Sequence, residues 1–471
     1  MAVFLDLPGE LVDNVLLQAI LCRGVKRGLR LRLVCKLFSD AVKPALFKSK
    51  LLDGFNAPVV NRHWHLKPES YGWRLWHSYL TYRVKNETDP AVGRLAEIHS
   101  IAVIVHEECR SGMELDFIIG GLCGLVLEHG RMKTGFHEGW ASARPKERQG
   151  HGLDLLSAAA YFNMVPLAKR LLAKGIDAAA SNELLPSPAR LAASAGNEHM
   201  LEILQRHAEP VVLSEITYFP DATDWRQCIG EESIQGAAAC GDIGMLSLAM
   251  RPYHSVSDNP EELVTQCGRI ELAIRSARWN AGNPQVFDLL ESWLRDSELA
   301  RHGHSMTRYA LARYAEFGRL DMVRHLIDKG VDINGGYNWE GRIMNPLSNA
   351  CRRCHEDIVD FLVEHGAILD SDTDRDNSLP AAAAAGSLAL VQKLIDHGTP
   401  VNNTTALQAV CNAVNVENEG IVRLLLQKAD FPSDDYWHWI KGPDIDKARK
   451  EGLDSMAEIL QNWVDKNPPA N

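Results

Sequence analysis

"YALARYAEFGRLDMVRHLIDKGVDIN" (residues 309–334), "NPLSNACRRCHEDIVDFLVEHGAIL" (345–369) and "NSLPAAAAAGSLALVQKLIDHGTPVN" (377–402) are three versions of one pattern. Their starts lie 36 and 32 residues apart, a period that marks stacked helical units. Each opens with a short helix carrying a Leu and small residues: Leu311 and Ala315, Leu347 and Ala350, Leu379 with Ala382 and Ala383. A tight turn is expected at Gly318, Cys354 or Gly386. Next comes an amphipathic helix with Met322, Val323, Leu326 and Ile327, with Ile358, Val359, Leu362 and Val363, or with Leu390, Val391, Leu394 and Ile395. Gly330, Gly366 or Gly398 closes it as a C-cap. Helices of about 8 to 11 residues do not persist alone, so each unit must bury its apolar face against its neighbours.

This unit resembles the ankyrin repeat, and the resemblance implies helix-turn-helix units with hairpin fingers between them. Working outward, "DLLSAAAYFNMVPLAKRLLAKGID" (154–177) and "SPARLAASAGNEHMLEILQRHA" (187–208) carry it clearly. "ESIQGAAACGDIGMLSLAM" (232–250) is a degenerate copy, and another is expected within "IELAIRSARWNAGNPQVFDLLESWL" (270–294). "TALQAVCNAVNVENEGIVRLLLQKAD" (405–430) has a lengthened turn, and "PDIDKARKEGLDSMAEILQNWV" (443–464) reads as a polar terminal cap. The expected fold class is all-α: an ankyrin-repeat solenoid over 151–465, of eight or nine units clearest at 154–208 and 309–402. Two regions precede it, a small helical module (1–55) and an aromatic-rich helical connector (56–150).

A chain of 471 residues with 46% hydrophobic and 24% charged residues has the composition of a folded protein, and a solenoid accommodates such length by adding units. Ten cysteines without regular spacing, and a start "MAVFLDLPGELV" with no basic segment before an apolar run, point to a reducing compartment, cytoplasmic or nuclear. The longest apolar run, "LDFIIGGLCGLVL" (115–127), is too short for the ~20 residues of a membrane span. Net charge is −11, yet Cys22–Lys50 holds Arg23, Lys26, Arg27, Arg30, Arg32, Lys36, Lys43, Lys48 and Lys50 against one acid, Asp40. This asymmetry reads either as a surface for an acidic partner or as a solvated basic helix face.

Within the first module, Leu7 and Pro8 open a helix with Leu11, Val12, Val15, Leu16, Ala19 and Ile20 in one stripe. After a basic loop ending at Gly28, a second helix is expected to place Leu33, Val34, Leu37, Phe38, Ala41 and Val42 on one face. Fifty such residues make a poor free-standing core. The Leu7–Pro8 opening, Glu10 and Leu11, "RLVCKLF" (32–38) and Pro44-x-Leu46-Phe47 together resemble an F-box, over roughly a tenth of the chain. The resemblance implies that Leu7, Pro8, Leu11, Leu33, Val34, Cys35, Phe38, Pro44, Leu46 and Phe47 dock on a Skp-type adaptor and so recruit a cullin complex. The family's helices usually have fewer charges between them than "CRGVKRG" supplies, so the alternative is a helical cap on the solenoid. In the connector, "RHWHLKPESYGWRLWHSYLTYR" (62–83) concentrates Trp64, Tyr71, Trp73, Trp76, Tyr79 and Tyr82, a density that favours buried packing. Helices are expected near 95–108 and 113–129, and a loop over "HEGWASARPKERQGHG" (137–152).

Strings that mimic catalytic or metal chemistry have simpler explanations. "CRRCH" (351–355) matches a haem-attachment or redox pattern, but in repeat register Cys351 replaces a packing Ala and Cys354 the turn Gly. Zinc would need two further ligands. "DSDTDRDN" (370–377) opens like a calcium loop, with Arg375 where that loop needs Gly and Ala381 where it needs Glu. It reads as an acidic finger loop. No catalytic residue, metal site or cofactor is expected.

Binding is expected at finger tips and inner helix faces. "GGYNWEGRIM" (335–344) is a long finger offering Tyr337, Asn338 and Trp339 to a protein client, unless Trp339 folds back on its neighbour. Phe431, Tyr436, Trp437 and Trp439 form a second aromatic group, for which burial against the terminal cap is favoured. The module order resembles F-box and ankyrin proteins of filamentous fungi, which implies a non-catalytic substrate receptor of a ubiquitin ligase. The rival reading is a nuclear ankyrin co-regulator of transcription, of a kind found near fungal biosynthetic gene clusters. In it the basic segment serves for import or nucleic-acid contact, with direct nucleic-acid binding the less favoured of the two.

Overall fold

The computed structural model describes residues 7–54, 72–86, 93–109, 112–129, 148–182, 184–208, 229–253, 257–266, 268–294, 303–335, 337–339, 342–370, 377–401, 404–428 and 445–467. By internal contacts the chain divides into two compact units, the second beginning at Asn283.

The first unit starts with α1 (Gly9–Arg30), a 3-10 turn (Leu31–Leu33) and α2 (Lys36–Ser49). The basic stretch expected as a loop is therefore mostly helical, but a kink at Gly24 splits it into two helical segments. Only Gly24 leaves helical geometry, at φ 74 and ψ 175, and Val25 and Gly28 beyond it are buried. A Cβ at Gly28 would meet Ile20 Cγ1 at 3.1 Å, so close packing holds this segment in helical form against its weak local propensity. Two other expectations change here. The second helix begins at Lys36 instead of including Leu33 and Val34, and Pro44 lies inside it. Its core residues are Val42, Ala45, Leu46 and Phe47, and Leu33, Val34 and Leu37 are exposed.

Three helices follow: α3 (Trp73–Asn86), α4 (Arg94–Glu108) and α5 (Leu115–Glu128). Trp76 and Tyr79 are buried, as aromatic density favoured. Phe47 packs on Tyr79 and Tyr82, with ring centroids 5.2 and 5.6 Å apart. The Tyr79 hydroxyl donates to Asp53 Oδ1 at 2.6 Å, Arg83 closes an ion pair with Asp53, and burial raises the tyrosine pKa. Trp64 and Tyr71 lie outside the described residues.

Helix pairs then stack: α6 (Arg148–Tyr161) with α7 (Val165–Leu172), α8 (Pro188–Ser194) with α9 (Glu198–His207), and α10 (Ile229–Cys240) with α11 (Ile243–Met250). The short α12 (Pro260–Gln266) precedes α13 (Gly268–Arg278), which packs on α10. The expected loop at 137–152 thus gives way to helix from Arg148 onward. Residues 130–147 lie outside the described set.

The second unit contains α14 (Pro284–Trp293) and the pairs α15 (Gly303–Glu316) with α16 (Leu320–Asp328) and α17 (Pro346–Arg352) with α18 (Glu356–Glu364). It continues with α19 (Ser378–Ala385) and α20 (Leu388–Asp396), α21 (Thr404–Asn415) and α22 (Glu419–Lys428), then α23 (Ile445–Lys450) and α24 (Asp454–Lys466). Between α16 and α17 lies an antiparallel hairpin of β1 (Tyr337–Trp339) and β2 (Arg342–Met344). Among the described residues the fold is all-helical apart from this hairpin, where a finger loop is expected from the sequence.

The reason for the stacking is visible at the first helices α15, α17, α19 and α21. Their Ala312, Ala315, Ala350, Ala382, Ala383, Ala409 and Ala413 have no exposed surface, and small side chains there let the helices approach closely. Gly318 and Gly386 make their turns at φ 75, and Cys354 adopts φ 58 where the others have glycine. Side chains also reach backward to carbonyls of the preceding repeat. Asn349 Nδ2 donates to Ala312 O at 3.1 Å, Asn412 Nδ2 to Pro380 O at 3.0 Å and Asn418 Nδ2 to Gly386 O at 3.1 Å. His355 Nε2 bonds Glu316 O at 3.0 Å, and burial lowers its pKa, favouring the neutral ring with Nε2–H as donor.

Candidate protein-interaction surfaces

The first surface is built on α1 and the turn after it. Val12, Leu16 and Ile20 face inward at helical spacing, and Leu11 and Val15 occupy the adjacent strip at 49% and 46% exposure. After the 3-10 turn, Cys35 takes extended geometry at the start of α2, and Leu33 is 87% exposed, with Val34 and Leu37 exposed near it in the chain. Six of the eleven exposed large hydrophobics among the described residues fall between Leu11 and Leu37. That concentration singles out this module, because scattered single exposures need no explanation and clusters do.

The positions of the F-box resemblance separate into three groups. Pro8, Leu11, Leu33, Val34 and Pro44 are exposed, and Leu7, Cys35 and Phe38 are half-buried. Leu46 and Phe47 are core residues. Leu46 has no exposed surface and Phe47 is clamped by Tyr79 and Tyr82, so both serve the fold instead of a partner. Sequence pattern alone cannot distinguish these roles, since apolar residues at helical spacing serve either purpose. Val15 and Leu37 are exposed members that the motif comparison did not select.

The second surface is the β1–β2 finger of the second unit. Its register pairs Tyr337 with Met344, Asn338 with Ile343 and Trp339 with Arg342. The first strand carries the expected client-binding residues Tyr337, Asn338 and Trp339, and the second carries Arg342, Ile343 and Met344. Aromatic, Arg and Met residues are the types enriched in interface centres.

The base of the finger is tied down. Asn334 Nδ2 donates to Gly366 O at 3.3 Å, and its Oδ1 accepts from Ile368 N at 2.7 Å, joining the finger's root to the loop of the next repeat. Arg308 of α15 pairs with Asp332 at 3.3 Å, and a Cβ on Gly335 would meet Arg308 Cδ at 2.6 Å. Phe431, Tyr436, Trp437 and Trp439, like most of the acidic loop after Asp370, lie outside the described residues.

The Cys351–His355 string that mimics catalytic chemistry in the sequence has structural roles here. Cys351 is fully buried, with its thiol pKa pushed up by that burial, and His355 is committed to the Glu316 carbonyl. Among the described residues no group of His, Cys, Asp and Glu is arranged to hold a metal ion, and no helix is long and apolar enough to cross a membrane.

Stacked helix pairs with a hairpin finger define a repeat scaffold whose exposed loops are free to bind. Residues 277–373 and 309–405 match the family model for ankyrin repeats (3 copies), so the ankyrin identity is shown for this stretch. No curated protein matches the chain. Ankyrin arrays are typically protein-protein interaction scaffolds and not enzymes, and protein partners follow from the repeats.

Proposed function

We propose that this chain is a non-catalytic receptor: its ankyrin array recognises a protein client and its N-terminal module docks a Skp-type adaptor of a cullin ubiquitin ligase. The observation that carries the reading is the exposure of Leu11, Val15, Leu33, Val34 and Leu37, in a module whose Leu16, Ile20, Val42, Leu46 and Phe47 are already buried. Apolar surface left over after a core is complete is what an obligate partner covers. The client side rests on the finger's anchored root and on the residue types its strands carry, Tyr337, Asn338, Trp339, Arg342 and Met344.

The test is reconstitution of the full chain with purified adaptor and cullin. Stable co-elution, lost in Leu33→Asp with Val34→Asp but kept in Trp339→Ala, is the expected result. Co-elution that survives the first pair of substitutions would remove the docking half of the proposal. A second reading, a nuclear co-regulator, is favoured by the exposure of Arg23, Arg32 and Lys36 in the basic segment. It requires nuclear accumulation that depends on those cations, without adaptor association.

A further inference from the structure

We propose that the N-terminal docking face has a direction written in charge: it fits a protein groove that is apolar along its floor and acidic at the end that receives Leu33, Val34 and Leu37. The inference rests on the docking reading above and specifies the partner's chemistry. From Cys22 to Ser39 the sequence holds six cations and no carboxylate, in a chain whose net charge is −11. Arg32 and Lys36 are exposed and flank Leu33 and Val34 along the chain, with Leu37 directly after Lys36, so cations stand beside the exposed apolar residues at this end. At the start of α1 the signs reverse: Glu10 is exposed next to Leu11 and Asp13 is half-buried one turn on.

The polarity decides between classes of partner. An anionic bilayer would attract the Arg32 end and repel the Glu10 end, while the apolar strip formed by Leu11 and Val15 would stay unburied. A protein groove can match both ends at once. Rim charges of this kind act on encounter rate and orientation, whereas the leucine and valine side chains supply the buried area. The interaction should therefore weaken with salt, because the rim is solvent-exposed and within reach of screening.

The experiment is calorimetric titration of purified Skp-type adaptor into the full chain at about 50 mM and about 300 mM NaCl, which shortens the screening length roughly twofold or more. The expected result is a Kd about tenfold weaker at the higher salt. Arg32→Glu with Lys36→Glu should cost about tenfold at low salt and flatten the salt dependence, Arg32→Lys should retain binding, and Glu10→Gln should change little. Circular dichroism melting of each variant checks folding, and Arg32→Gln with Lys36→Gln serves as a milder pair with an intermediate loss expected. Binding that ignores both salt and charge reversal overturns the charge inference and leaves the docking reading standing. Failure of the wild-type chain to bind adaptor overturns both. Association of the wild-type chain with phosphatidylserine vesicles in place of adaptor overturns the choice of a protein groove.

Discussion

The ankyrin array from α15 to α22 and the α1–α2 module are both made of short amphipathic helices, yet they end in opposite conditions. In the array each helix pair has a neighbour, and Leu311, Leu326, Leu347, Leu362, Leu379, Leu394 and Leu425 all fall to 2% exposure or less. In the module Leu16, Ile20 and Leu46 reach the same state, whereas Leu11, Val15, Leu33, Val34 and Leu37 stay at 40% or more. A repeat is completed by the next copy of itself. The module has no copy, so its outer face is left for something else. The lesson is that equal hydrophobic patterning can specify a core or an interface, and only the presence of a neighbour distinguishes them.

The largest contrast should come from truncating a leucine on either side of that divide. Leu362→Ala, in the array core, is expected to destabilise by about 2 to 5 kcal/mol in denaturant unfolding, and Leu33→Ala by less than about 0.5 kcal/mol. Comparable losses at the two sites would erase the distinction between finished array and open module.

Gly318→Ala comes next. Its φ of 75 is unfavourable for a side chain, and a Cβ would meet His355 Cε1 at 2.6 Å. A loss of about 1 to 3 kcal/mol is expected, read as a lower melting temperature. Replacing His355 by Ala in the same chain should relieve part of it, a coupling visible in a double-mutant cycle. Smaller still is Asn349→Ala, which removes the bond to Ala312 O and should cost about 1 to 2 kcal/mol.

A pH effect sharpens the comparison at the first repeat of the other unit. Asp154 is fully buried, accepts from Asn182 Nδ2 at 2.7 Å and Leu185 N at 3.1 Å, and has its pKa pushed up to about 7 by burial and then by the neighbouring Glu97. Glu97 is itself shifted up by burial, with Arg94 pulling the other way, and the imidazole of His151 is shifted down. Because the folded Asp154 holds its proton more tightly than the unfolded chain does, its contribution to stability is complete below about pH 4. It is lost as pH rises to about 7. Denaturant midpoints measured from pH 5 to pH 8 should fall, and Asp154→Asn should reduce that slope. An unchanged slope in the variant would place the titration elsewhere.

Legibility in the sequence followed the same divide. The array could be read because the period recurs: the glycines expected to close helices, Gly330, Gly366 and Gly398, all take positive φ, and Cys354 fills the glycine position of its own repeat. The stretch "CRGVKRG" could not be read, since two glycines and three cations signal a loop locally, and its helical state depends on contacts such as Gly28 on Ile20. The finger carried a signal that was available: Tyr-Asn-Trp and Arg-Ile-Met on either side of Glu340-Gly341 is a hairpin pattern with a two-residue turn. Pairing register then decides which of its residues can act together, which no count along the chain provides.

The most direct test of the open-module account is hydrogen–deuterium exchange on the full chain, alone and with saturating purified adaptor. Protection of the amides spanning Leu11 to Leu37, with α15 to α22 unchanged, is the predicted result. Adaptor-induced protection confined to the array, or none at all between Leu11 and Leu37, would contradict it.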